Sequence, residues 1–497
     1  MFVDEYMPNV LIQYGLNDGA PIVYEANPSY QNIFGKIEYS SIQGSVFTNY
    51  RMLQAGALHK ANGGYLVLDA DKMMANPYVW EALKLALKSQ KLTMESHQGE
   101  IGMVSSMTLT PQPIPLDVKV VLLGSRSLYY LMEEYDDEFN ELFRVLADFE
   151  HYIGANERAH HDFVKKVQQH VENIDIDGIN SSAIARLQEF SFRQAEHQSK
   201  FSARFADVLE LINEASYYCL QDQKTVISAA HVEEALQGKQ YRTGQISESL
   251  LEDIAEGHIL IDTSGEQIGK LNGLTVLEIG DTRFGTPARI SATVYAGANG
   301  IVDIEREVDL GKSIHSKGVM LLTGYLGNKY TQDFPLTVSA NIALEQSYGH
   351  IDGDSASLGE VCALISAITQ MPISQSIAVT GSINQHGEVQ AVGGVNEKIE
   401  GFFSLCKQRG LSPNNGVIIP KANQVNLVLS RDVIEAVDRG LFAVYAVETV
   451  DQALELLLSE KAGELSRRGT YPKNTINFVA LQRLKAIADA VNGADGE

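Results

Sequence analysis

The sequence predicts a multidomain α/β protein, on three observations. The chain has 497 residues, too long for one hydrophobic core, so roughly two to four domains are expected. Strand and helix patterns alternate over residues 1–150 and again from 245 to 460. Between them, residues 151–244 carry helical periodicity with no strand signal.

In the first block, NGGYLVLDA (62–70) is a turn followed by a short apolar run, the pattern of a buried parallel strand. PYVWEALKLALKSQKL (77–92) then has helical spacing. Pro77 stands at its start, and Val79, Leu83, Ala86 and Leu87 share one face. VKVVLLGS (118–125) reads as a second buried strand. In the middle block, SARFADVLELINEASYYCL (202–220) and SAAHVEEAL (228–236) are helices, with Ser228 and the nearby Glu233 marking a helix start. In the third block, TVSANIALE (337–345) alternates Val338, Ala340, Ile342 and Leu344, a half-buried strand. SIAVTGSINQHGEVQAV (376–392) reads as strand, turn and strand, with NQHG at the turn. Residues 461–497 are a polar connector and one amphipathic helix.

Composition narrows the function. The chain is 44% hydrophobic and 21% charged, which argues against long disorder. Its 39 basic and 63 acidic residues leave a net charge of -24. A broad sequence-independent grip on nucleic acid needs the opposite sign, so no strong nucleic-acid signal is present. Cys219, Cys362 and Cys406 form no CxxC, so a disulfide framework or zinc ribbon is not expected and a reducing cytoplasm fits. No signal peptide is visible in MFVDEYMPNV, and no run of about 18 apolar residues suggests a membrane span.

HIDGDSASLGE (350–360) is the stretch with chemistry in it. Ser357 and Glu360 fit a capping box, so a helix is expected to begin near Ser357 with Ser355 just before it. The residues alone admit two readings of Ser355. It is loop polarity beside a helix cap, or a nucleophile beside helix-start amides that stabilise an oxyanion. A nucleophilic serine needs a base. His350 and His386 are the nearest histidines, the G-x-S-x-G elbow is absent, and no Asp-x-x-His follows. Lysine is the other base known to pair with serine, provided it is desolvated or held near positive charge. In GGVNEKIEGFFSLCKQRG (393–410), Val395, Ile399, Phe402, Phe403 and Cys406 form a helical stripe with Lys398 at its edge. Glu397 points elsewhere on the helix. Lys398 is either the base or a stem snorkelling to solvent.

DGDSAS (352–357), TGSINQHGEVQAVGGVNEK (380–398) and IGKLNGL (268–274), in that order, resemble the proteolytic domain of the Lon proteases over roughly residues 245–457. The resemblance implies Ser355 as nucleophile, Lys398 as general base and Thr380 orienting the lysine. Asp352 matches an acidic position that contacts the lysine in some subfamilies. Upstream, GALHKANGGYLVLDA (56–70) resembles the Walker B region of a Lon AAA+ module, with Asp69 as its acid. LFRVLADFE (142–150) resembles the arginine-finger segment, with Arg144, and SARF places Arg204 as a sensor. The implied organisation is a partial AAA+ α/β domain (1–150), an all-helical AAA+ lid (151–244), an α+β Lon proteolytic domain (245–460) and a C-terminal connector and helix (461–497).

The nucleotide site departs from the family pattern. No G-x-x-x-x-G-K-[ST] occurs in residues 1–68, where YGLNDGAP (14–21) lacks the Lys-Ser/Thr. Gly311-Lys312-Ser313 falls inside the proteolytic match and reads as a loop. The second Walker B acid is replaced by Ala70. The expectation is a serine endopeptidase for unfolded or damaged proteins, assembled as a hexameric ring. The peptidase chemistry needs no cofactor, hydrolysis by this chain is expected to be slight, and ATP and Mg²⁺ binding is left open. Two other readings stay open: an inactive Lon-like scaffold, and an ATP-dependent Lon protease whose Walker A lies upstream of this chain.

Overall fold

A computed structural model describes residues 7–15, 19–42, 45–94, 109–280, 282–297, 299–347 and 349–494. The opening residues 1–6, and 16–18 within the glycine-containing 14–21 stretch, lie outside these. The chain forms two compact units, Met1–Phe149 and Glu150–Glu497.

The first unit is built on three parallel strands, β1 (Ile22–Glu25), β2 (Tyr65–Asp69) and β3 (Lys119–Leu123), with β2 in the centre. Helix α1 (Pro77–Ser89) carries the expected apolar face. Val79, Trp80 and Leu83 pack with Leu66 and Leu68 of β2 and with Met132 of α2 (Arg126–Tyr135). The reading of Val118–Ser125 as a buried strand needs correction. Val120 and Leu122 face the core, but Val121 and Leu123 are exposed, as are Ile22 and Tyr24 of β1. Among the described residues helices pack on one face of this small sheet, so its strands alternate inward and outward. Across the unit, Asp136 accepts hydrogen bonds from Trp80 Nε1 (2.6 Å) and the buried Lys84 Nζ (3.0 Å).

The second unit opens with four helices: α3 (Glu157–Val171), α4 (Ser181–Gln194), α5 (Phe205–Gln221) and α6 (Ala229–Thr243). Phe163, Val167, Leu187, Leu211, Ile212 and Val232 form their shared core. Two short pairings accompany them, Tyr152–Gly154 with Lys200–Ser202 and Gly178–Ile179 with Val226–Ile227. Sequence periodicity gave no sign of these pieces, which are too short to show a period. Ser228 does start α6, but its box partner is His231, whose Nδ1 accepts from the Ser228 N–H at 3.1 Å. Glu233 lies beyond the third helical position and instead accepts from Arg186 at 2.8 Å.

The rest of this unit is a seven-stranded mixed sheet. Its strands are β4 (Lys270–Ile279), β5 (Thr282–Tyr295), β6 (Gly300–Asp303), β7 (Ser339–Leu344), β8 (Ile377–Val379), β9 (Gly416–Pro420) and β10 (Ala443–Val447), in the spatial order β6-β7-β5-β4-β8-β9-β10. The long hairpin β4–β5 is antiparallel, while β4, β8, β9 and β10 run parallel. Side chains alternate across it. Ile377, Val379 and Ile418 face a core shared with α7 (Ser313–Tyr330), α8 (Ser357–Thr369), α10 (Val450–Leu458) and α11 (Ile476–Ala494). Ala378, Val417 and Ile419 face α9 (Val395–Arg409), with Val395, Ile399, Phe402 and Phe403 inward. The C-terminal helix, read from sequence as amphipathic, completes this core: Ile476, Ala480, Leu484 and Ala488 are buried at four-residue spacing. Among the described residues no helix is long and apolar enough to cross a membrane. All three cysteines are buried free thiols.

Candidate active site

Thr380 lies one residue past the carboxyl end of β8. In a parallel sheet with helices on both faces, a crevice opens there. Here the start of α8 enters from one face and the first turn of α9 from the other. They deliver Ser355 and Lys398 to the same point. Lys398 Nζ lies 2.9 Å from Ser355 Oγ and 3.0 Å from Thr380 Oγ1.

Local backbone bonds hold Ser355. Its carbonyl accepts from the Gly381 N–H at 2.9 Å, and Leu358 N–H donates to the Gly381 carbonyl at 3.1 Å. The loop before α8 is thereby stitched to the residues after β8. Gly353 takes φ +96, a backbone open to glycine at little cost. Asp354 is fixed by Ser382 Oγ, which donates to its carboxylate at 2.7 Å. The Ser355 and Ala356 N–H groups donate to no acceptor among the described residues, whereas the Ser357 N–H is taken by the Asp354 carbonyl.

The capping box at Ser357 does not form. Helix α8 begins at Ser357 itself, without a side-chain cap. Ser357 Oγ accepts from the Ile383 N–H at 3.1 Å, across to the strand Ser382–Ile383. Glu360 is 1% exposed and turns into the protein toward His315. The N-cap position falls on Ala356, so Ser357 is the first helical residue and Glu360 the fourth, one step out of the capping-box positions.

Lys398 is 3% exposed. Burial, helped by the positive Arg283, lowers its pKa from 10.5 to about 8, against the opposing pull of Asp354 and Glu397. Glu397 turns away from it, as helical geometry requires, to pair with Arg193 of α4 at 2.9 Å. Arg193 also pairs with Glu400 at 2.8 Å and donates to the Val428 carbonyl. Arg283 of β5 is held by an ion pair with Glu196. The helical segment thus grips α9 on both sides of the lysine.

The other candidate residues fall elsewhere. Asp352 does not reach Lys398. Its carboxylate accepts from the Gly353 N–H and lies 3.8 Å from Lys312, and the acids acting on Lys398 are Asp354 and Glu397. Sequence spacing could not separate the two aspartates, because the left-handed Gly353 between them leaves each with different partners. His350 and His386 are exposed and make no contact with Ser355. Asp69 caps the short helix Ala70–Met74, accepting from the Lys72 N–H at 3.3 Å. Arg144 donates to the Glu141 carbonyl at 3.1 Å. Arg204 is exposed and pairs with Asp207 at 3.4 Å. The Gly311-Lys312-Ser313 stretch is no phosphate cradle. Gly311 bridges to Ile351, and the Lys312 N–H donates to the Ile351 carbonyl.

Comparison with known proteins agrees with this architecture. Residues 18–150 match the family described as LonB-like, AAA domain, and residues 178–242 the Archaeal LonB, AAA+ ATPase LID domain. Residues 264–460 match the Lon protease (S16) C-terminal proteolytic domain. A putative Lon protease homolog of Haemophilus influenzae is 35% identical over 447 residues, covering 88% of this chain and 72% of the relative. One from Escherichia coli is 35% identical, covering 82% and 69%. An archaeal Lon protease of Thermoplasma acidophilum is 24% identical, covering 91% and 67%. With its AAA-like, lid and proteolytic segments in one order, the chain belongs to the Lon protease family.

Proposed function

We propose that this chain is a serine endopeptidase acting on unfolded or loosely folded proteins through Ser355 and Lys398. The supporting observation is their 2.9 Å contact, made by a lysine that is 3% exposed. As a free amine, Lys398 accepts the Ser355 hydroxyl proton while Oγ attacks the peptide carbonyl. It then returns that proton to the leaving amine. Thr380 holds the amine against the serine. The Ser355 and Ala356 N–H groups stabilise the oxyanion, a role worth about 10²-fold or more per donor in related chemistry.

The pH profile tests this. Only unprotonated Lys398 is a base, so activity rises about tenfold per pH unit below the lysine pKa and levels off above it. The midpoint is expected at about 8. Arg283→Gln removes a neighbouring positive charge, raises the lysine pKa and moves the midpoint up. Asp354→Asn removes a negative charge and moves it down. Profiles measured on an unfolded protein substrate check both signs. A midpoint unmoved by either change would remove Lys398 as the titrating base.

For the nucleotide, the described residues do not fit hydrolysis. Asp69 is occupied as a helix cap and Ala70 follows it. We propose that the AAA-like unit acts as a substrate collar and not as a motor, in a hexameric ring of chains in a reducing cytoplasm. Casein cleavage is then expected to change less than about twofold on adding Mg-ATP, a free-energy difference under about 0.5 kcal/mol. Strong ATP dependence would overturn the collar. Light scattering checks the ring, and a monomeric mass would overturn it.

A further inference from the structure

Behind the catalytic helix lies a polar cluster that peptide hydrolysis does not use. Asp303 ends β6, Glu305 lies in the short helix Ile304–Glu307, His315 is in the first turn of α7 and Glu360 is in the first turn of α8. All four are 4% exposed or less. No lysine or arginine pairs with any of them among the described residues. One imidazole therefore faces three buried carboxylates, which is costly unless further positive charge or protons are present.

The orientation of the atoms points to a ligand. Asp303 occupies a helix-cap position, yet its side chain makes no cap bond, and both its oxygens lack a hydrogen-bond partner. Glu305 uses one oxygen to accept from the Leu344 N–H at 2.8 Å, leaving the other without a partner. His315 Nε2 also has none, although it lies 3.4 Å from Asp303 Oδ2. One donor atom each from Asp303, Glu305 and His315 lies within 4.8 Å of the others. Bonds of roughly 2.0–2.1 Å to a tetrahedral ion put its donors about 3.4 Å apart, the His–Asp separation seen here. The opposite ring nitrogen, His315 Nδ1, faces Glu360 at 3.8 Å. A carboxylate behind the far nitrogen of a metal-bound histidine is a recurrent arrangement that fixes the tautomer and orients the ring.

We propose that His315, Asp303 and Glu305 bind a divalent transition-metal ion of zinc's class, with Glu360 orienting His315. The donors choose the class. An imidazole with carboxylates and no thiol suits zinc or its first-row neighbours. Calcium requires roughly six to eight oxygens, and magnesium keeps waters that a buried site has little room for. The ion is structural. It ties the end of β6 to α7, and through Glu360 to α8, five residues beyond Ser355.

The test uses the full chain, free of affinity tags and passed over a weak chelating resin. Metal analysis is expected to find close to one zinc or related ion per chain. The Asp303→Asn, Glu305→Gln double variant keeps size and shape and is expected to lose nearly all of it. Adding Zn²⁺ to metal-depleted wild type is expected to raise the unfolding midpoint by about 5 °C at saturation, but not that of the variant. X-ray absorption at the zinc edge needs no variant and is expected to show a nitrogen and oxygen shell containing one imidazole. Metal-free wild type with no midpoint shift on adding Zn²⁺ or Mn²⁺ would overturn the site. So would a sulfur shell, or undiminished metal in a folded double variant.

Discussion

Ser355→Ala and Lys398→Met are each expected to lower cleavage of an unfolded protein by roughly 10³-fold or more, and the double variant to be little worse than either. Groups that act as one unit lose their effect together, so non-additivity is itself the signature of the pair. Methionine is the informative replacement at Lys398. It keeps the buried stem and removes an amine that burial already disfavours, so the unfolding midpoint should not fall. An inactive, folded Lys398→Met protein therefore separates loss of a base from loss of structure. Lys398→Arg should be equally inactive, because a guanidinium stays protonated and cannot take the serine proton. Casein cleavage with melting curves measures all four. Substantial proteolysis by folded Lys398→Met would exclude lysine as the base, and an inactive wild type would favour the scaffold reading.

Much of this site was legible because it depends on residues close together in sequence. DGDSAS is continuous in sequence, and so is the stretch from Thr380 through the hairpin Ser382–Gln390 to Lys398, so their chemistry survives as a motif. What failed to read was set by packing. Ser357 and Glu360 carry a capping-box spacing, but the buried first turn of α8 turned both side chains to tertiary partners. Asp352 and Asp354 are equivalent on paper until the left-handed Gly353 sends one outward and the other toward Ser382. In the His315 cluster, Asp303, Glu305 and His315 are also near one another in sequence, but they fall on a strand end, a short helix and α7 and match no familiar ligand spacing, and Glu360 joins them from α8. The fold reads in the same way. The long period of α1 and the alternation in β7 are visible, while the half-exposed β3 depends on how many layers cover its sheet.

Two glycines that no motif singled out are expected to control the rate almost as strongly. Strand β5 and helix α9 touch backbone to backbone beside the lysine. A Cβ added at Gly285 would lie 2.0 Å from the Glu397 carbonyl oxygen and 2.7 Å from the Lys398 nitrogen. One added at Gly401 would lie 2.1 Å from the Gly285 carbonyl oxygen. Neither neighbour is a flexible side-chain tip, so relief requires the helix to move by about 1 Å or more to reach ordinary contact. Lys398 moves with it, and a displacement of that size costs on the order of 10²-fold in rate when it separates reacting groups. Gly401→Ala is thus expected to lower kcat by about that factor, with KM little changed because the displaced group acts in the chemical step. Gly285→Ala should act in the same direction, since it presses on the same turn. Gly393→Ala is the control: a Cβ there meets nothing within 4 Å, and activity should be unchanged. Steady-state rates and melting curves on the three variants decide the matter. If folded Gly401→Ala cleaves at the wild-type rate, the close approach of β5 does not hold the lysine, and the grip of Arg193 on Glu397 and Glu400 would have to hold it alone.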